Sequence, residues 1–359
     1  MGQELYSAAW ALGLGLIVGV VLFVPFVAAS YRRRGTLSAG RVLLWIAALV
    51  YFWAIWTYTL LPLPEPGSFD CVPPNFDLGT LAADLRTALA AQGNPLRTPQ
   101  FLQLALNVLL FLPLGFFVRV LGGRGILVAG ITGLLVSTLI ETTQLTGAWG
   151  IYPCAYRMFD VVDIVTNTSG ALIGSLFALI VPRAWRRTGA LPGASLPRPV
   201  TRGRRFLGMI SDGLAFALVQ FTVNIGAVLA ATNLMTLSPA ETTRAGELAG
   251  IGSVAFASLL WVVVILSTGR SIGDLAVQLR YAGGRLPQPL ARIMRALGGV
   301  TGYAILGALP APGGLFALLF AGFSLVLLLT TRNGRGLPGL VSGQELRDSR
   351  ESRGSGEGE

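Results

Sequence analysis

GILVAGITGLLVSTLIETTQLT, residues 125–146, is long and apolar enough to cross a bilayer, yet it carries Ser137, Glu141 and Gln144. The next apolar stretch, RMFDVVDIVTNTSGALIGSLFALIV at 157–181, opens with Arg157, Asp160 and Asp163 and carries Asn167 deeper in. A transmembrane helix needs about 20 predominantly apolar residues, and an ionisable side chain at its centre costs roughly 2.5–3.5 kcal/mol on insertion scales. Three carboxylates gathered in two consecutive spans therefore mark a working site rather than an accident of composition.

The rest of the chain has the same character. Of 359 residues, 53% are hydrophobic and 12% charged, and the mean hydropathy is +0.66. The apolar runs predict nine spans, at 7–29, 42–62, 101–121, 125–146, 158–181, 206–231, 248–267, 292–309 and 314–331. Arg292, Arg295 and a run of glycines dilute the eighth. The fold class is all-α, a polytopic helical membrane protein in two bundles. Residues 1–181 form a five-span unit with an external loop at 63–100, in which 80–91 has the spacing of a short amphipathic helix. Residues 182–205, rich in Pro and Arg, read as a cytoplasmic linker, and 206–331 as a four-span unit. The tail 332–359, rich in Gly, Ser, Arg and Glu, is expected to be disordered.

Orientation follows from arginine, which supplies all 27 basic residues. With the amino terminus outside, the inner loops and the tail hold 23 of them, and the outer side keeps Arg86, Arg97, Arg157 and Arg244. The positive-inside rule then places the chain in the cell membrane with its carboxyl terminus in the cytoplasm. The first span has Glu4 before it and Arg32, Arg33 and Arg34 after it, the reverse of a cleavable signal. The net charge of +10 flanks spans and forms no basic face with stacking aromatics. Membrane lipids, not nucleic acid, are the expected partners.

There is no histidine, so Ser-His-Asp and Cys-His chemistry and histidine metal sites are excluded. A Gly-rich phosphate loop with its lysine is absent too, and neither a cofactor nor a metal centre is expected. Acid–base work falls to Asp, Glu, Tyr or Cys.

In the fifth span Asp160, Asp163, Asn167, Gly170 and Gly174 recur at 3-4-3-4 spacing and share one helical stripe. In the fourth, Gly130, Gly133, Ser137, Glu141 and Gln144 do the same. Small residues let helices approach closely, and the polar ones bond across the seam. Since the two spans run in opposite directions, Glu141 and Gln144 meet the level of Arg157, Asp160 and Asp163 near the outer face. Asn107, in the third span, lies within reach. The scaffolding alternative has Arg157 neutralising Asp160 or Asp163. One arginine does not neutralise three carboxylates, so at least one must be protonated, hydrated or bound to something else.

These residues carry a resemblance. Asn107-Val-Leu-Leu-Phe-Leu-Pro-Leu-Gly115, Ser137-Thr-Leu-Ile-Glu-Thr-Thr-Gln144 and Arg157-Met-Phe-Asp160-Val-Val-Asp163 through Asn167 to Gly170, with Thr59-Leu-Leu-Pro62, resemble the VanZ-like membrane family over about 40–181. The resemblance implies a cell-envelope membrane protein; the family's namesake lowers susceptibility to the glycopeptide teicoplanin. It brings no catalytic assignment. Residues 200–331 bear a weaker resemblance to RDD membrane domains, through Arg204-Arg205-Phe-Leu-Gly-Met-Ile-Ser-Asp212 and the Gly-rich loop Thr268 to Asp274. That loop lacks the usual lysine, and Asp212 reads as a helix anchor paired with Arg204 or Arg205.

Three functions follow. The leading one is an envelope protein that binds or shields a lipid-linked glycan or cell-wall precursor at an outward-facing acidic pocket of Asn107, Ser137, Glu141, Gln144, Arg157, Asp160, Asp163 and Asn167. The alternatives are a carboxylate-dependent membrane enzyme acting on a lipid-linked substrate and a proton-coupled transporter. Cys71 and Cys154 are the only cysteines and fall in two different loops on the outer side. A disulfide between them is expected, worth about 3–4 kcal/mol in the chain-entropy model.

Overall fold

The computed structural model describes residues 18–19, 21–61, 63–64, 70–91, 94–186, 189–234 and 238–351. The chain divides into two compact units, and each stands on its own helices.

The first unit is built on α2 (Ala39–Leu60), α3 (Gly79–Ala90), α4 (Pro99–Val120), α5 (Ile126–Leu145) and α6 (Val161–Phe177). Local chemistry fixes the starts of two of these helices. Thr98 caps α4, its hydroxyl accepting from the Phe101 N–H, and Pro99 follows at the first helical position. Asp160 caps α6 through the Val162 N–H at 2.8 Å. Ile55, Phe111 and Ile140 join α2, α4 and α5 in one buried cluster. On the outer faces Leu127 and Leu135 are 73% and 64% exposed, as lipid-facing side chains must be. At the glycines of the seam between α4 and α6 no side chain separates the two helices. A Cβ built on Gly170 falls 2.2 Å from the Val108 carbonyl oxygen, and one on Gly174 falls 1.8 Å from that of Leu112. The small-residue stripe thus sets backbone on backbone.

Cys71 and Cys154 are bonded, with their Cα atoms 5.7 Å apart and 83 residues of separation. The bridge and the hydrogen bond from the Val72 N–H to the Ala155 carbonyl hold the loop between α2 and α3 against the segment that leads into α6. Opening a loop of this size costs about 4 kcal/mol in the chain-entropy model. Reducing the protein, or replacing Cys71 by serine, is therefore expected to lower the thermal midpoint of this unit in detergent by several degrees. Equal midpoints with and without reductant would show that the loop is held by other contacts.

The second unit contains α1 (21–34), α7 (Arg202–Leu234), α8 (Pro239–Thr268), α9 (Ile272–Ala276), α10 (Gln288–Leu297), α11 (Val300–Gly307), α12 (Gly313–Thr330) and α13 (Gly336–Ser342). Strands β1 (Leu279–Ala282) and β2 (Glu345–Asp348) pair antiparallel within it. Pro239 opens α8 behind a capping box of Ser238 and Glu241. Val27 and Tyr31 of α1 pack on Val277, Leu279, Tyr281 and Leu346, so the first helix belongs here and not with the five-span unit expected to contain it. Phe216, Trp261, Ile265 and Ala296 form a second core.

Seven helices among the described residues are long and apolar enough to cross a membrane, by length and composition: α2, α4, α5, α6 with its extension to Ile180, α7, α8 and α12. The protein is an all-α polytopic membrane protein. Of the expected span 7–29, residues 7–17 and 20 lie outside the described residues. The expected span 292–309 is corrected. It is broken at Gly298–Gly299 into α10 and α11, and Arg295 is drawn inward, where its guanidinium donates to the Gly269 carbonyl at 2.8 Å. The linker expected at 182–205 ends earlier, because Arg204 and Arg205 are already in α7 and buried.

The expectation of a disordered tail is also overturned. Residues 332–351 form a turn, α13 and β2. Composition suggested a solvated segment, but Leu346 is 1% exposed and packs in the core with Leu279 and Tyr281. Asp348 is fully buried against Arg204 and Arg350. Residues 352–359 of that tail lie outside the described residues.

Candidate functional site

The eight residues singled out from the sequence all lie in the first unit, around the C-terminal end of α5 and the start of α6. Ser137, Glu141 and Gln144 are on one face of α5 and are buried. Asn167, on α6, donates to the Ser137 hydroxyl at 2.9 Å and leaves its own Oδ1 without a partner. Asn107, on α4, donates to Asp163 Oδ1 at 2.5 Å. The close approach of α4 and α6 is what allows that bond.

Glu141 and Asp160 meet through the backbone. Glu141 Oε2 accepts the Asp160 N–H at 2.9 Å, while Asp160 Oδ1 accepts from the Val162 N–H and from Asn75 Nδ2 at 3.1 Å. Asp160, placed inside a span by the apolar pattern, has extended backbone and stands just before the helix. Its place at the cap aims its carboxylate at the helix N-terminus, where negative charge is favoured.

Arg157 does not neutralise these acids. Its guanidinium donates to the Thr59 carbonyl at 3.1 Å and the Leu61 carbonyl at 2.9 Å, at the end of α2. The last carbonyls of a helix have no partner within it and carry partial negative charge, so a cation there is well placed. Gln144 joins the same knot, donating to the Thr59 carbonyl at 2.8 Å. Among the described residues, no ion pair involves Glu141, Asp160 or Asp163. Nor does any group of three or more His, Cys, Asp or Glu among them have the arrangement to hold a metal ion.

Residues 45–182 match the family model VanZ/LLP1. These residues, within the first unit, form a VanZ-like domain. No curated protein and no solved structure matches the chain significantly. The likeness of residues 200–331 to RDD domains is not borne out. Asp212 also departs from the anchor role expected of it. Its carboxylate accepts from the Trp261 indole, the Gly273 N–H and the Ser271 hydroxyl, whereas Arg204 pairs with Asp348 and Arg205 with Asp274.

Sequence reasoning missed Asn75 as a member of the VanZ-like site. Its N–H donates to the Phe159 carbonyl and its carbonyl accepts from Val161, forming a one-residue bridge beside Asp160. The signal that could have found it is the cysteine pair: once Cys71 is tied to Cys154, residue 75 is held opposite the segment entering α6. Tyr152 and Tyr156, which flank this segment, are buried. Their hydroxyls donate to the Pro64 and Leu60 carbonyls, and burial pushes the Tyr156 phenol above its ordinary range. They anchor the loop and present no stacking face.

The resulting cluster has a buried side, Glu141 and Asp160, and a partly exposed side, Asp163 and Asn107. It offers carboxylate and amide acceptors to an incoming donor at that partly exposed edge. Amines and sugar hydroxyls suit such an edge, and phosphates are repelled by it.

Proposed function

We propose that the VanZ-like domain binds or shields a lipid-linked or peptidoglycan-related ligand at the cell envelope, through the acidic cluster, and so alters susceptibility to glycopeptides of the teicoplanin type. One observation carries this reading: Glu141, Asp160 and Asp163 stand together in a membrane unit, while the nearby arginine is spent on the carbonyls closing α2. A set of acids built only to hold helices together would be expected to use that cation. The chemistry favours the amino and hydroxyl groups of a sugar–peptide portion over a diphosphate.

The test is isosteric neutralisation. Glu141→Gln and Asp163→Asn keep volume and most hydrogen bonds, so both are expected to insert and fold normally. Each is expected to lose the teicoplanin phenotype in a host expressing the protein, and to weaken binding of a soluble muropeptide to the purified protein by at least about tenfold. Normal expression with undiminished binding and protection in both variants would sink the proposal.

The reading also needs the cluster on the outer side, with the amino terminus out and the carboxyl terminus in the cytoplasm, as the arginine distribution supports. After mild reduction of intact cells, a membrane-impermeant maleimide is expected to label Cys71 and Cys154. Labelling that appears only after permeabilisation would reverse the orientation.

A further inference from the structure

The second unit contains three adjoining cavities that the VanZ-like domain does not account for. The innermost is small, about 30 Å³, and is lined by Arg205, Asp274, Arg295 and Thr301 among others. It shares Arg205, Asp212, Gly299, Val300 and Pro338 with a cavity of about 280 Å³ between α7, α11 and α12. That cavity in turn shares Gly213, Val300 and Tyr303 with a third, of about 310 Å³, which reaches Gln220. From Arg205 to Gln220 along α7 is about 22 Å at 1.5 Å per residue, against roughly 15 Å for the hydrocarbon depth of one leaflet.

The polar atoms along this path are unequal in kind. Asp212 has its oxygens engaged by Trp261, Gly273 and Ser271, and Asp274 by Arg205 and the Ser271 N–H. Left without a hydrogen-bond partner are Arg205 Nε, Arg295 Nε and Thr301 Oγ1 at the inner cavity, and Ser324 Oγ at the middle one. All four residues are more than nine-tenths buried. The two guanidinium nitrogens are donors only, and the two hydroxyls have a proton to give. Buried donors without acceptors are expensive, so three at the inner cavity and one at the middle cavity beside it call for the acceptors of a ligand. Two arginines and two aspartates balance formally, which favours a singly charged headgroup over a dianion.

We propose that this path binds a single-chain amphiphile, with its acceptor-rich monoanionic headgroup at Arg205, Arg295, Thr301 and Ser324 and its apolar chain along α7 and α11 toward Gln220. A fatty acid carboxylate and a lysolipid phosphodiester share that chemistry. The aliphatic body supplies the apolar burial, and the headgroup oxygens receive the four donors.

Gly213 offers a clean test. It lines both larger cavities, and a Cβ built on it meets nothing within 4 Å. Gly213→Leu therefore fills the path without striking backbone, and Ser324→Leu fills it from α12. The full-length protein, delipidated in a mild non-ionic detergent, is titrated with laurate, lysophosphatidylglycerol, dodecyltrimethylammonium and acetate and read by native mass spectrometry. Laurate or lysophosphatidylglycerol is expected to bind one per chain and at least about tenfold tighter than dodecyltrimethylammonium; which of the two binds better identifies the headgroup source. Either filling variant that keeps the wild-type thermal midpoint is expected to lose at least about tenfold in that affinity. The proposal is overturned if the cationic amphiphile binds as well as the anionic ones. It is equally overturned if acetate competes as well as laurate, or if the folded filling variants bind like the wild type.

Discussion

Gly174→Ala is expected to destabilise the VanZ-like domain by about 3 kcal/mol or more, at the upper end of what overpacking does. The added methyl would sit 1.8 Å from the Leu112 carbonyl oxygen and 2.7 Å from its carbonyl carbon. Those are backbone atoms in the middle of α4, so no rotamer change relieves the clash and one helix must move off the other. Gly115, on the facing helix, is in the same position, with a Cβ falling 1.7 Å from the Ala171 carbonyl oxygen. The consequence reaches the site, because separating α4 from α6 pulls Asn107 away from Asp163. Gly125→Ala is the control: it precedes α5, and its methyl meets nothing within 4 Å. Thermal unfolding in detergent should separate the two variants by about ten degrees for a domain of this size. Indistinguishable midpoints would mean that α4 and α6 are not in backbone contact.

The 3-4 spacing of glycine and polar residues marks α6 as a close-packing helix, but the sequence sets that stripe against α5, whereas Gly170 and Gly174 meet the backbone of α4. The same periodicity puts Ser137, Glu141 and Gln144 on α5 and Asp163 and Asn167 on α6, where they stand, and places Asp160 inside the span that this residue in fact caps. It did not show what Arg157 does, since spacing along one helix carries no information about the carbonyls at the end of another. Asn75 was illegible for a similar reason: a single bridging residue in a Pro-rich loop has no period. In the second unit the misreadings came from composition. Residues 332–351 look solvated because glycine, arginine and glutamate outnumber the apolar residues, yet one leucine and one aspartate, each placed on the buried face of β2, are enough to dock it. Gly298 and Gly299 diluted an apolar run that reads as a span, and the break between α10 and α11 lies between its two arginines and its apolar half.

Asp348→Asn is expected to cost the second unit about 3–5 kcal/mol, because it leaves buried guanidinium charge without its counter-ion. Asp348 Oδ2 accepts from Arg204 at 2.8 Å and from Arg350 at 2.6 Å, and the Arg198 N–H reaches the same oxygen. Arg204 also donates to the Val277 and Gln278 carbonyls, so one guanidinium ties α7 to the segment before β1 and to β2 together. An asparagine keeps the volume but supplies one neutral acceptor and an N–H₂ group facing two cations. Burial alone would raise the Asp348 pKa; the hydrogen bonds from Arg350, Arg204 and Arg198 outweigh it and hold the carboxyl well below the usual range. A depressed folded-state value gives stability that is fully present above the unfolded value, about pH 4, and is lost as pH falls through the folded one. The gap between wild type and Asp348→Asn should accordingly be constant from neutral pH down to about pH 4 and close below it. Limited proteolysis supplies the structural readout, since cleavage within 332–351 should be slow in the wild type and fast in the variant. A variant that resists protease as the wild type does, with an unchanged thermal midpoint at neutral pH, would show that the apolar contact of Leu346 alone holds this segment in place.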